Sequence, residues 1–201
     1  MFTHTDVKKA VIRSQHCQRN WDLSREIPQE DLDLILHSVT ECPSKQNHSF
    51  YKVHAVTDRN VIEKIHTNTE GFLLDSGEWT TNSQTLANLV LVFESVDTSE
   101  AHKEKNSTYE KSSWAVERDT HMAVGIAAGY ANLTASLLGY GTGCCACFDE
   151  KNIAEILNMK TKPVLLMGIG FKGVGKNRRV HHATGQMFPT KKKEPIQVER
   201  H

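Results

Sequence analysis

Two short apolar runs constrain the fold of this chain more than any other feature of its sequence. NLVLVFES (residues 88–95) and PVLLMGIG (residues 163–170) keep apolar side chains at consecutive positions. A strand covered on one face alternates apolar and polar residues, whereas a strand covered on both faces is apolar throughout. The two runs therefore predict central strands of a buried sheet.

A third strand and three helices are predicted around these runs. YKVHAVT (residues 51–57) alternates polar and apolar side chains and has β-branched residues, as expected of a strand. QEDLDLILHSVTEC (residues 29–42) spaces its apolar residues along one helical face and has acids in its first turn. Asp58 and Asp149 are good N-caps for the short helices that follow them.

Residues 113–138 are predicted to form a long helix. They carry small and apolar side chains on nearly every face, which indicates packing on most sides. The alanines and glycines among them permit close approach of another helix, including one across a dimer axis. Strands and helices do not alternate strictly, and no Gly-x-Gly-x-x-Gly follows the first strand, so an α+β layer fold is favoured over a doubly wound dinucleotide fold.

The chain length of 201 residues predicts a single domain, residues 1–201. Residues 97–112, DTSEAHKEKNSTYEKS, are polar and lack apolar periodicity, which predicts an insertion or lid. Residues 171–201 form a C-terminal extension with many charges and few core residues. This extension is expected either to be disordered or to lie on another surface.

Charge and cysteine content narrow the class of protein. Twenty-four Lys and Arg residues balance 24 Asp and Glu residues, so no net field attracts nucleic acid. The chain has no apolar run of signal-peptide or membrane-span length, which predicts a cytoplasmic protein without a membrane partner. Five cysteines, an odd number, are expected to stay reduced there.

Four polar segments carry the residues that suggest chemistry. They are QHCQRNWD (15–22), CPSKQNHSF (42–50), TTNSQTLANLV (80–90) and GKNRRVHH (175–182). Taken singly, each has an ordinary explanation, such as a turn or a solvated basic patch. Their order, with LLGYGTGCCACFDEKNIAEIL (137–157) after the long helix, resembles that of the nitroreductase family of flavin enzymes. The resemblance runs from residue 7 to residue 180 and omits the insertion.

The resemblance implies an α+β fold with a central, mostly antiparallel sheet flanked by helices, and an intertwined homodimer that binds two FMN molecules at its interface. The FMN phosphate is a dianion, and cations and hydrogen-bond donors must offset its desolvation. By position, the residues implied around the phosphate are Gln15, His16, Cys17, Arg178 and Arg179, with Lys176 nearby. Gln15 and Cys17 stand where the family usually has Arg and Ser.

Three further groups of residues are implied to contact the flavin. Those facing the pyrimidine edge are Arg19, Asn82 and Gln84. A cation at this edge stabilises the negative charge that two-electron reduction places near N1 and O2. Those lining the ribityl chain and one ring face are Pro43, Ser44, Lys45, Gln46 and Asn47. Those on a loop whose backbone N–H groups approach N5 are Cys145, Ala146 and Cys147.

The implied activity is ping-pong transfer of electrons from NAD(P)H, through FMN, to a small acceptor such as a nitroaromatic or a quinone. The flavin performs the redox chemistry, so no side chain is predicted to be catalytic and no metal is predicted. Acceptor choice is expected to depend on the insertion, where Tyr109 and Trp114 either stack on a flat substrate or anchor the lid.

Two alternatives remain open at this point. One is a thiol or metal-binding protein that uses Cys144, Cys145 and Cys147, with His181 and His182 as further ligands, although the second Cys pair of a typical zinc site is missing. The other is a binding module that keeps the fold without flavin. Loss of the usual phosphate ligands at Gln15 and Cys17 motivates this alternative.

Overall fold

The computed structural model describes residues 3–96 and 113–200. The α-helices of this part of the chain are α1 (His4–Ser14), α2 (Gln29–Thr40), α3 (Arg59–Thr67), α4 (Ser113–Leu137) and α5 (Glu150–Ile156). The strands are β1 (Tyr51–Val56), β2 (Leu89–Ser95), β3 (Gly141–Cys145) and β4 (Pro163–Gly170). Short 3₁₀ helices lie at Lys45–Asn47 and Ser83–Thr85.

The four strands form one antiparallel sheet in the order β1-β2-β4-β3. The two apolar runs become β2 and β4, the central strands, as predicted. The prediction of a mostly antiparallel sheet is confirmed. Asp58 and Asp149 cap α3 and α5 as predicted, because each side chain accepts a hydrogen bond from a backbone N–H of the first turn.

Strand β2 shows why helices cover both faces of the sheet. Leu89, Leu91 and Phe93 pack with residues of α2 and α4 on one face. Val90 and Val92 pack with residues of α3 and α5 on the other face. All five side chains are fully buried, and this explains the loss of polar alternation in the sequence. The result is a helix–sheet–helix arrangement.

Helix α1 is fixed to α4 by hydrogen bonds between side chains of α4 and backbone carbonyls of α1. Ser136 Oγ donates to the Ala10 carbonyl oxygen at 2.9 Å. Asn132 Nδ2 donates to the Ser14 carbonyl oxygen at 3.0 Å. These two bonds set the point where α1 ends, and they direct residues 15–22 along the outer edge of β3.

Two sequence-based expectations differ from the structure. The CCAC segment was expected in a loop, but Cys144 and Cys145 lie in β3, an edge strand that the glycine-rich sequence GTGCC does not signal. The C-terminal extension was expected to add little to the core. The side chains of His181 and Phe188 are nonetheless buried. A count of the charged residues in the extension does not predict the burial of these two rings.

The predicted insertion, residues 97–112, lies outside the described residues. Among the residues that are described, no helix is both long and apolar enough to cross a membrane.

Candidate functional site

The segment after α1 is held between β3 and the C-terminal extension. Gln18 N–H donates to the Thr142 carbonyl oxygen in β3 at 2.7 Å. On the other side, Arg19 N–H donates to the Arg178 carbonyl oxygen at 2.9 Å, and Arg178 Nη1 donates to the Cys17 carbonyl oxygen at 3.3 Å. These bonds bring together residues from the first and last of the four polar segments.

Trp21 connects the same segment to the third polar segment. The indole is buried, and its Nε1 donates to the Ser83 carbonyl oxygen at 2.7 Å. Ser83 Oγ donates in turn to the Arg19 carbonyl oxygen at 3.0 Å. Trp21 N–H donates to His182 Nδ1 at 3.2 Å. Three segments that are distant in sequence therefore meet around one tryptophan.

Asn82 and Gln84 place their amides beside Arg19. Asn82 Nδ2 donates to Cys145 Sγ at 3.3 Å. The Gln84 amide, oriented so that both of its ends are satisfied, donates from nitrogen to the Cys144 carbonyl oxygen at 2.6 Å and accepts at oxygen from Arg19 Nη2 at 3.2 Å. The predicted pyrimidine-edge residues thus form one hydrogen-bonded cluster with β3, which we call the Arg19 cluster (Arg19, Asn82, Gln84, Cys145).

Arg19 is a half-buried cation with unused donors. Its guanidinium carbon lies 4.4 Å from the centroid of the Phe188 ring. Its Nε and Nη1 atoms are buried and find no hydrogen-bond partner among the residues that the structure describes. Burial lowers the pKa of Arg19, and the nearby Arg178 lowers it further. Buried donors are almost always paired, so these two atoms require an acceptor from water, an ion or a ligand.

The residues predicted around a phosphate lie at the exposed end of the same region. Gln15 and His16 are exposed. Partial burial lowers the pKa of His16, and the positive charge of Arg178 lowers it further. The two side chains are therefore close enough to interact electrostatically. Arg179 follows directly, and its carbonyl oxygen accepts from Phe188 N–H at 3.0 Å.

The segment 43–47 is held by α4. Lys45 Nζ lies 2.7 Å from Asp119 Oδ2, and the Asp119 side chain is buried. Gln46 and Asn47 have φ angles of 53° and 57°, so this short turn keeps two non-glycine residues in the left-handed region. Ser44 Oγ donates to the nearby His48 carbonyl oxygen at 2.8 Å. None of these contacts reaches the Arg19 cluster of the same chain.

In the CCAC segment (residues 144–147), Cys144 and Cys145 do not have the acidity of reactive or metal-binding cysteines. Burial raises the pKa of Cys144 to about 12 and that of Cys145 to about 11, which keeps both as neutral thiols at physiological pH. Ala146 and Cys147 are exposed beyond the end of β3. No group of three or more His, Cys, Asp or Glu side chains within residues 3–96 and 113–200 is arranged to hold a metal ion.

The two histidines of the metal alternative have structural partners. His181 Nδ1 accepts from the backbone N–H groups of Ala183 and Thr184 at 3.2 and 3.1 Å. His182 Nδ1 accepts from Trp21, as described above. The His181 bonds close a turn within the C-terminal extension, and the His182 bond joins the extension to Trp21.

Phe188 was not predicted as part of the site. It is the one aromatic residue in QMFPTKKK (residues 186–193), and this short stretch has no apolar periodicity that signals burial. Thr142 was missed as well, because its contribution is a backbone carbonyl, which any residue type supplies.

Comparison with known proteins supports the resemblance. The model of the Nitroreductase family matches residues 12–171. A nitroreductase family protein from Clostridium novyi NT has a TM-score of 0.65 and 19% sequence identity, with 89% of this chain and 90% of that chain covered. YdfN from Bacillus subtilis, assigned as a nitroreductase, has a TM-score of 0.71 and 18% sequence identity, with 98% of this chain and 100% of that chain covered.

A third structure, from Staphylococcus epidermidis, belongs to a protein assigned as an NAD(P)H:FMN oxidoreductase. Its TM-score is 0.68 at 19% identity, with 97% of this chain and 94% of that chain covered. No protein with a curated description matches the sequence. At these sequence identities the structural similarities confirm the predicted fold only. The assignment of the chain to a family rests on the match to the family model. The model covers most of the chain, and the chain therefore belongs to the nitroreductase family.

Proposed function

We propose that this protein is an FMN-dependent oxidoreductase that takes electrons from NAD(P)H and passes them to a small acceptor such as a nitroaromatic or a quinone. The observation that carries the proposal is that two buried guanidinium atoms of Arg19, Nε and Nη1, have no hydrogen-bond partner within residues 3–96 and 113–200. They suit the electron-rich pyrimidine edge of a flavin, which offers several hydrogen-bond acceptors side by side. Family membership and the assigned function of the Staphylococcus epidermidis neighbour support the same conclusion.

The residues present fit the two ends of FMN. Arg178, with His16 and Cys17 beside it and Arg179 next in the chain, would hold the phosphate at the exposed end of the site. A guanidinium there offsets the desolvation of a dianion better than neutral donors do. Gln15 stands at a position where the family usually has Arg, so the phosphate would be held by Arg178 and Arg179 without that further cation.

The Arg19 cluster would bind and orient the pyrimidine edge. Arg19 supplies positive charge, and Asn82 supplies an amide. Gln84 holds Arg19 in place through its 3.2 Å hydrogen bond. The backbone of residues 145–147 would lie along the central ring. When bound, FMN would supply the two-electron chemistry that links NAD(P)H to the acceptor, and the fixed Arg19 cation would favour the more negative, reduced form.

We further propose that the active form is a homodimer. Met122, Ile126 and Tyr130 are exposed and spaced four residues apart, so they form one apolar stripe on α4. An apolar stripe of this kind is costly to leave in water. A second copy that covers the stripe would also bring its own segment 43–47 to the flavin of the first copy. This arrangement would account for segment 43–47 contacting α4 of its own chain rather than the Arg19 cluster of its own chain.

The test is the colour and redox response of the purified full-length protein. We expect oxidised-flavin absorbance, bleaching on addition of NADPH or NADH, and recovery on addition of a nitrobenzene derivative or a quinone. Arg19→Gln is expected to weaken FMN binding roughly ten- to a hundredfold, since it removes charged donors. Colourless protein that neither takes up added FMN nor consumes NADPH contradicts the proposal and favours a flavin-free module.

A matched control is available for the Arg19 variant. Arg25 also stacks on an aromatic ring, with its guanidinium carbon 3.6 Å from the centroid of Phe171, but it is exposed and lies outside the Arg19 cluster. Arg25→Gln therefore removes an arginine with a similar ring contact. We expect its FMN affinity to equal that of the wild type.

A further inference from the structure

Phe188 lies outside the segment that matches the family model, and yet it contacts the Arg19 cluster. The family match ends at residue 171. Phe188 is 5% exposed, and its ring is the surface on which the Arg19 guanidinium rests, at 4.4 Å from carbon to ring centroid. A part of the chain that the family model does not describe therefore supports the cation of the proposed flavin site.

The ring of Phe188 is itself held in a fixed position. Val180 and Met187 form an antiparallel bridge, so residues 180–187 of the C-terminal extension fold back on themselves. The His181 ring lies parallel to the Phe188 ring, with 9° between the planes and 6.0 Å between the centroids. Phe72 packs edge-on against Phe188 at 4.7 Å. The ring is therefore a rigid surface.

Arg19 needs such a surface because its other side-chain contacts are few. A free arginine side chain samples many rotamers, and orienting its guanidinium costs part of that rotamer entropy. In the described part of the chain, one hydrogen bond to Gln84 holds Nη2, and Nε and Nη1 have none. The Phe188 ring attracts the guanidinium face and excludes water from it. Gln84 and Phe188 together fix both the direction and the plane of the guanidinium.

We propose that Phe188 is a positioning residue that holds the Arg19 guanidinium toward the pyrimidine edge of the flavin and thereby sets both FMN affinity and the reduction potential of bound FMN. The inference rests on the proposed flavin function. It assigns to the C-terminal extension a part in the redox properties of the site, acting entirely through Arg19.

The experiment compares full-length Phe188→Leu and Phe188→Met with the wild type. Both variants fill most of the ring volume and remove the aromatic face. Fluorescence titration gives the Kd for FMN, and dye equilibration gives the midpoint potential of the bound flavin. We expect affinity to fall about five- to thirtyfold, as for loss of a desolvated cation–π contact. We also expect a more negative midpoint potential, because a mobile cation stabilises the reduced flavin less.

Phe171→Leu is the matched control. It removes an aromatic ring that also contacts an arginine, because the Arg25 guanidinium carbon lies 3.6 Å from the Phe171 ring centroid, and it leaves Phe188 and its neighbours in place. We expect it to lower the melting temperature while the midpoint potential stays at the wild-type value. A purely structural role of Phe188 would make the Phe188 and Phe171 variants alike in both measurements, and that result overturns the inference.

A double-mutant cycle tests whether Phe188 acts through Arg19. In an Arg19→Gln background, Phe188→Leu is expected to change neither FMN affinity nor potential further. Additive effects contradict the inference. Wild-type protein that fails to bind FMN overturns the proposed function and this inference together, whereas wild-type binding with unaltered Phe188 variants overturns this inference alone.

Discussion

Glu94 places a buried carboxylate in the otherwise apolar strand β2. Its Oε2 lies 2.7 Å from His54 Nε2 in β1. Its Oε1 accepts from the backbone N–H groups of Lys160 and Thr161 at 2.7 and 3.1 Å. Burial by itself raises the pKa of Glu94, but these hydrogen bonds outweigh burial and lower the pKa to about 2. One residue thus ties β1 and β2 to the turn that leads into β4.

We expect Glu94→Gln to lower the free energy of unfolding at pH 7 by about 2–3 kcal/mol. The folded-state pKa lies below the ordinary value of 4.5. The stabilisation by the Glu94 carboxylate is therefore complete above pH 4.5 and is lost as the pH falls toward 2. Urea unfolding at several pH values should show the wild-type and variant curves converging in acid.

Glu155→Gln is the control for this prediction. Glu155 is exposed, and its Oε1 atom lies 3.9 Å from Lys151 Nζ in a helical i,i+4 pair. Exposed pairs of this kind contribute about 0.5 kcal/mol or less. A loss of stability in Glu94→Gln that is no larger than in Glu155→Gln would contradict the structural role of Glu94.

The sequence was sufficient to group Arg19, Asn82 and Gln84, because their order along the chain matches a known family. It was not sufficient to identify Phe188. The burial of that ring depends on the turn at residues 180–187 and on contacts with Phe72, which are set by tertiary structure.

Among the elements, β4 and the 3₁₀ helix at Ser83–Thr85 approach each other closely at one glycine. A Cβ atom placed on Gly168 would lie 1.9 Å from the Gln84 carbonyl oxygen. This contact is with backbone, so a rotamer change cannot relieve it. The close approach lets Gln84 reach both Cys144 in β3 and the guanidinium of Arg19.

We expect Gly168→Ala to displace the segment that carries Asn82 and Gln84. The forced backbone shift should lower the free energy of unfolding by about 1–3 kcal/mol and should weaken FMN binding, because the Arg19 cluster loses its alignment. Thermal unfolding and FMN titration measure the two effects. Wild-type FMN affinity in a folded Gly168→Ala protein would show that the close approach has no part in binding.

The central strands and helices α2 to α5 were predictable because each has a run of apolar residues, an apolar face or a capping residue. Strand β3 was not, because the small residues of GTGCC have little intrinsic preference for a strand. Its position comes from pairing with β4 and from the hydrogen bond between Gln18 and Thr142.

At the scale of the whole molecule, the α4 stripe determines the proposed assembly. We expect Ile126→Glu to place a charge in the centre of the stripe and to convert a dimer into a monomer, as measured by light scattering coupled to size exclusion. FMN affinity should fall at the same time, because segment 43–47 of the second copy is lost from the site.

Leu34→Glu is the matched control for Ile126→Glu. Leu34 is an exposed leucine on α2, away from the stripe. We expect this variant to remain dimeric and to keep wild-type FMN affinity. A monomeric wild-type protein that binds FMN fully would contradict the proposed dimer.

The hydrogen bond from Trp21 to His182 joins residues 161 positions apart. Translation delivers the N-terminal segment first, so Arg19 waits until the C-terminal extension has left the ribosome before Arg178, His182 and Phe188 can reach it. The sheet can be complete while this closure is still missing. A chain truncated shortly after β4 would therefore keep its four strands and would still lack the residues that close the proposed FMN site.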